Sequence, residues 1–309
     1  MWESDCPGPA LNLPFPLSEA PARKLGLPRV SRMAQATLDR TPPREDEFPA
    51  HFDLSGLPRT GHVPVLALVY ALGLALFLSV EPTEPWVLLA VVALVGLGTD
   101  GILRSQTGAP LRGIADTAPF LFVPVLLALA SGLFLEEVVR GYWTAPAVAG
   151  AGVLLAASVY AETVSVTQGR SYALGRFALH VLTYLAAFAF YAVVYNFDVD
   201  LPPSAVAVGL FSLLLAVEVF REAEADAYRA LVFSAVIGIV VAEARWALYF
   251  VPLEGFLAAV VLLLVFYLAT GLIQHYLTGH LNRTIGLEFT LVTAVGLAVV
   301  IAGRVLSLG

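Results

Sequence analysis

The stretch that decides the fold runs from Val241 to Arg283, VAEARWALYFVPLEGFLAAVVLLLVFYLATGLIQHYLTGHLNR. It reads as two apolar helices meeting at a tight turn around Pro252. The first carries Glu243 and Arg245 inside an apolar run, and the second ends in Gln274, His275 and Tyr276. Each run is long enough to cross a hydrocarbon core of about 30 Å, which takes about 20 apolar residues. Ionisable groups at such depth are costly and call for partners, so the polar residues of this hairpin are the first functional candidates.

The whole chain shares this character. It is 59% hydrophobic and 13% charged, with a mean hydropathy of +0.82, where soluble domains hold about 45–50% apolar and about 25% charged residues. A net charge of −7 argues against nucleic acid as a partner. A single cysteine, Cys6, excludes a disulfide framework and any paired-cysteine metal or redox motif.

From Val63 onward apolar runs recur at 63–80, 86–103, 117–135, 145–164, 177–196, 203–220, 230–251, 253–274 and 285–308. The expected fold is an all-α polytopic transmembrane bundle of about nine helices, or eight if the split within 230–274 fails. Helices are required because backbone groups in lipid must be satisfied within the segment, and a barrel needs shorter alternating strands. Residues 1–61 are rich in proline and charge and read as a flexible tail ahead of a membrane domain at 62–309. No apolar run of signal-peptide kind precedes Val63. Met33 is an alternative start, which would make residues 1–32 a mis-assigned extension.

Basic residues are retained on the cytoplasmic side. With the N-terminus inside, the inner segments hold Arg44, Arg59, Arg104, Arg112, Arg170, Arg176, Arg221, Arg229 and Arg283, and the outer ends hold Arg140, Arg245 and Arg304. That bias predicts an inner-membrane protein with its N-terminus in and its C-terminus out.

This topology sorts the ionisable groups into two layers. The inner cluster is Asp100, Glu162, His180, Glu218, His275 and Glu288, and the outer cluster is Glu136, Glu137, Arg140, Glu243, Arg245 and Arg304. A midplane almost free of charge speaks against an ion path. Glu243, taken as about 12 Å below the surface, and Arg245 lie about 200° apart on their helix and cannot pair with each other. Glu243 is expected to meet Arg140 or Arg304, and Arg245 to meet Glu136, Glu137 or Glu254.

Two chemical readings were weighed against these positions. The run EEVVRG at Glu136 to Gly141 resembles the glutamate-glutamate-arginine motif of intramembrane CAAX-type proteases. That family places three residues between its second glutamate and its arginine, and three within its later phenylalanine-to-histidine motif. Glu137 and Arg140 are separated by two, as are Phe177 and His180. A shift of one residue turns a helical side chain by about 100°, off the shared face. A bis-histidine haem on His180 and His275 has matching depth, but no two candidate ligands share helical i, i+3 or i, i+4 spacing. No cofactor and no metal are therefore expected.

The hairpin also resembles a bacterial family of multi-pass membrane proteins classified only as a domain of unknown function. The residues that carry the resemblance are Glu243, Trp246, Tyr249 and Pro252, then Phe266, Tyr267, Gly271, Gln274, Tyr276 and Leu277. It implies a multi-helix membrane fold and no catalytic residues. The expected function is a non-enzymatic scaffold, accessory or binding component of a bacterial cytoplasmic membrane. The alternatives are a transporter or flippase for a small polar or lipid-linked molecule, and an intramembrane enzyme acting on lipid or peptide. The expected partners are the lipid bilayer and either another membrane protein or a second copy of the chain.

Overall fold

A computed structural model describes residues 61–80, 84–105, 114–139, 141–167, 171–197, 200–221, 227–251, 253, 255–278 and 283–307. The proline-rich segment up to residue 60, read above as a tail, lies outside them. Among the described residues there are nine α-helices and no strand. They are α1 (Val63–Ser79), α2 (Pro85–Arg104), α3 (Ile114–Val138), α4 (Thr144–Thr167), α5 (Tyr172–Asn196), α6 (Leu201–Phe220), α7 (Ala227–Leu248), α8 (Gly255–Thr278) and α9 (Arg283–Ser307). A single 3₁₀ turn at Gly141–Trp143 leads into α4.

Eight of these helices, α2 to α9, are long and apolar enough to cross a bilayer. The remaining one, α1, has 17 residues and so spans about 25 Å, at the lower limit for a crossing. Proline opens α1, α2 and α6, where its missing N–H would be unpaired in any case. Pro119 and Pro124 lie inside α3, a position that neighbouring helices make tolerable in a membrane.

The hairpin divides as its sequence implies. Its first helix stops at Leu248 and the second begins at Gly255. The backbone N–H groups of Tyr249, Phe250 and Val251 donate to the carbonyls three residues back, at 3.3, 3.3 and 3.1 Å. The chain thus tightens into a 3₁₀-like turn ahead of Pro252, which disfavours helix in the residue before it. Nine helices, not eight, follow from that break.

Short connections make successive helices run in opposite directions. One apolar core joins α3, α5, α6, α7 and α8, with Phe190 of α5 stacked on Phe211 of α6 at 3.9 Å between ring centroids. A second core joins α1, α2, α3 and α4 around Tyr70, Leu74 and Phe77. Buried hydroxyl pairs clip helices together at Tyr70–Ser131 (2.7 Å) and Tyr191–Ser212 (2.6 Å), the kind of contact that replaces hydrophobic driving force within lipid. The tightest crossing is α6 on α7. A Cβ added at Gly238 would lie 2.7 Å from the Gly209 carbonyl oxygen, and one at Gly209 would lie 2.9 Å from that of Gly238. Only glycine permits the two backbones to approach so closely. Large apolar side chains such as Leu97, Val153, Val206, Ile239 and Leu287 point outward, as a lipid-facing surface requires.

Candidate functional site

A group of buried charged residues lies at the end where α2, α4, α6 and α8 finish and α3, α5, α7 and α9 begin. Glu162 near the end of α4 is 0% exposed and Glu218 near the end of α6 is 2% exposed. Buried carboxylates need compensation, and arginines supply it. Arg176, in the first turns of α5, donates from Nη1 to Glu218 Oε1 at 2.7 Å. Arg221, one residue past α6, reaches Glu218 Oε1 at 2.9 Å and Glu162 Oε2 at 3.3 Å. Its guanidinium also lies over the Phe120 ring of α3, 3.9 Å from the centroid. Two carboxylates and two guanidiniums therefore hold four helices, α3 to α6, at one end. Asp100 is not part of this group. It pairs with Arg104 one turn on at 2.8 Å, and the Thr117 hydroxyl of α3 donates to its carboxylate.

His180 lies beside the quartet, one turn beyond Arg176. Its Nδ1 is 2.9 Å from the Arg176 carbonyl oxygen. A carbonyl can only accept, so Nδ1 carries the proton of this contact and Nε2 is the nitrogen left to face the cleft. The side chain lines both a small void against Arg176 and Glu218 and a larger cleft on its other side. That cleft has a volume of about 480 Å³, within the range of small-molecule sites of about 300–1,000 Å³. From α5 it takes Phe177, His180 and Tyr184; from α8, Tyr267, Gly271, Gln274, His275 and Thr278; from α9, Glu288 and Phe289. The aromatic wall is continuous. Tyr184 meets Tyr267 edge to face at 5.6 Å, Tyr267 meets Phe289 at 5.8 Å, and His275 meets Phe289 at 5.7 Å.

Three of the six inner candidates, His180, His275 and Glu288, thus share one cleft, two others, Glu162 and Glu218, share the quartet, and Asp100 is separate. Among the described residues no group of three histidine, cysteine or carboxylate side chains is placed to hold a metal ion.

The outer candidates do not assemble in the same way. Glu136 and Glu137 are half-buried near the end of α3, Arg304 is exposed near the end of α9, and Arg140 lies outside the described residues. Glu243 is exposed and makes no polar contact among the described residues, so the pairing with Arg304 is not formed, and the pairing with Arg140 lies outside them. The helix ends at Leu248, which puts Glu243 about 7.5 Å from its terminus rather than 12 Å. At that depth a carboxylate reaches the interface, which removes its need for a partner. Arg245 turns the other way, as the angular offset requires, and is 5% exposed. Its guanidinium carbon lies 4.2 Å from the centroid of the Tyr195 ring, and of the three expected carboxylates Glu254 lies outside the described residues. Its Nε and Nη1 are buried without a hydrogen-bond partner among the described residues. Glu136 and His180 sit at opposite ends of the bundle, which removes the protease-like constellation.

The residues that sequence reading missed are Arg176 and Arg221, counted only as loop charges. The available signal was the i, i+3 spacing of Glu218 and Arg221, which places both on one helix face. A family model described as "Protein of unknown function (DUF5656)" matches residues 63–303. No curated protein and no solved structure matches the chain.

Proposed function

The chain belongs to that family of unknown function, and we propose that it is a non-enzymatic binding or scaffold component of the cytoplasmic membrane, with its N-terminus inside. The observation that carries this reading is the buried quartet of Glu162, Arg176, Glu218 and Arg221. An ion or proton path requires charged groups that exchange partners along the bundle. Here the two buried carboxylates are paired with arginines at one end, and fix four helices. Eight apolar helices of spanning length support a multi-pass protein, and the arginine bias supports the cytoplasmic side for the quartet. A transporter would need the outer cluster as a recognition site, and there Glu243 and Arg245 face opposite ways.

The test is reconstitution into liposomes loaded with a pH-sensitive dye, under an imposed proton gradient and membrane potential. Liposomes with the protein are expected to be as tight as empty ones. A flux that depends on the protein and disappears in Glu218→Gln would overturn the reading.

A further inference from the structure

The cleft between α5, α8 and α9 is graded along the bundle. At 1.5 Å per residue, His275 and Gln274 lie about 4.5 and 6 Å from the end of α8, and Glu288 about 7.5 Å from the start of α9. Tyr267 and Tyr184 lie about 16 and 18 Å from the same surface, near the middle of a core about 30 Å thick. Gln274, His275 and Glu288 therefore lie nearer the mouth than the two tyrosine rings, with His180 between them at about 12 Å. Phe177 on the rim is 65% exposed, and α9 packs against α8 without a comparable contact to α5, so the cleft opens sideways into lipid. This is the shape for an amphiphile lying along the membrane normal, head at the surface and chain inward.

The groups at the mouth select the head. Among the described lining residues Glu288 supplies the carboxylate. His180 has its Nδ1 committed to the Arg176 carbonyl, which leaves Nε2 as the nitrogen facing the cleft, an acceptor in the Nδ1–H tautomer. Phe289, beside Glu288 in sequence, turns its ring into the same cleft. A carboxylate, a ring-nitrogen acceptor and aromatic surface together suit a head that donates hydrogen bonds and carries positive charge. We infer that the α5–α8–α9 cleft binds an amphiphile with a primary ammonium head, an ethanolamine-headed phospholipid of the surrounding membrane. This deepens the binding-component reading above and rests on it.

The test is titration of the purified full chain in detergent micelles with phosphatidylethanolamine carrying a fluorescent acyl chain, beside the same chain on phosphatidylglycerol. The ethanolamine lipid is expected to bind saturably, about one per protein, and about tenfold more tightly. Glu288 is exposed, so Glu288→Gln leaves the fold intact, and it should remove that preference through loss of about tenfold in affinity. Gly271→Val should weaken both lipids, because even its Cβ would stand 2.6 Å from the Phe289 ring and drive that ring out of place. Glu243→Gln, at the other end, should change neither. Equal affinity for the two lipids, or a preference that survives Glu288→Gln, overturns the inference. Displacement by free ethanolamine at the concentration at which the lipid binds would assign the site to a soluble amine and overturn the lipid. Absence of lipid binding leaves liposomes as tight as before, whereas flux would defeat the functional reading whatever the lipid does.

Discussion

Glu218→Gln removes the carboxylate that Arg176 and Arg221 share, while keeping the size of the side chain. Both contacts are short, 2.7 and 2.9 Å, and the carboxylate is 2% exposed. The quartet then changes from two charges of each sign to a net positive charge, with Glu162 in contact with Arg221 alone at 3.3 Å. Each lost attraction amounts to about 6 kcal/mol at an effective dielectric constant of about 20, most of it offset by desolvation already incurred. Breaking a buried pair from one side costs about 3–5 kcal/mol net, and that is the expected loss. Glu162→Gln removes one longer contact and leaves Glu218 between both arginines, so it should cost less, about 1–3 kcal/mol. The double variant Arg176→Gln with Glu218→Gln leaves the Arg221–Glu162 pair intact. It should therefore be more stable than the sum of its single variants implies, by about 0.5–3 kcal/mol. The assay is unfolding in mixed micelles by sodium dodecyl sulfate, followed by tryptophan fluorescence. Glu218→Gln no worse than Glu162→Gln, or a strictly additive cycle, would refute the quartet as the clamp of this end.

Other expectations follow from the same geometry. Gly238→Ala places a methyl group 2.7 Å from the Gly209 carbonyl oxygen, where ordinary contact begins near 3.4 Å. The helices α6 and α7 must part, at a cost of about 1–3 kcal/mol, against a helix-propensity gain of at most about 1 kcal/mol. A lower melting temperature is expected, and an unchanged or higher one refutes the close crossing. Tyr195→Leu removes the ring under Arg245 and should lower stability by about 1–2 kcal/mol; the same loss in an Arg245→Gln background would show that the ring does not act through the guanidinium. Reporter fusions after Asp200 should read as external and after Asp226 as internal, and the reverse result rejects the orientation. The purified protein should show no Soret band and no stoichiometric metal by elemental analysis; a bound haem would instead assign His180 and His275 as ligands.

What the sequence determined by itself was what depends on distances along the chain. Apolar runs of spanning length give the number of helices, because backbone groups in lipid have to be satisfied locally. The break at Pro252 was legible for the same reason, since proline acts on the residue before it. The opposite facing of Glu243 and Arg245 followed from their offset of two residues. Which groups meet is a different matter. Arg176 and Glu218 are 42 positions apart, and nothing in the spacing of either shows that α5 and α6 cross where they do. The tertiary structure decided that Arg176 and Arg221, read as loop charges, lock Glu162 and Glu218. It also decided that His180 and His275 line one cleft, and that Arg245 rests on a tyrosine ring. Helix formation is local and leaves its period in the sequence, whereas partner choice is set by packing between helices. In lipid that packing depends on small residues and close fit, as at Gly209 and Gly238, and hydropathy carries no record of it.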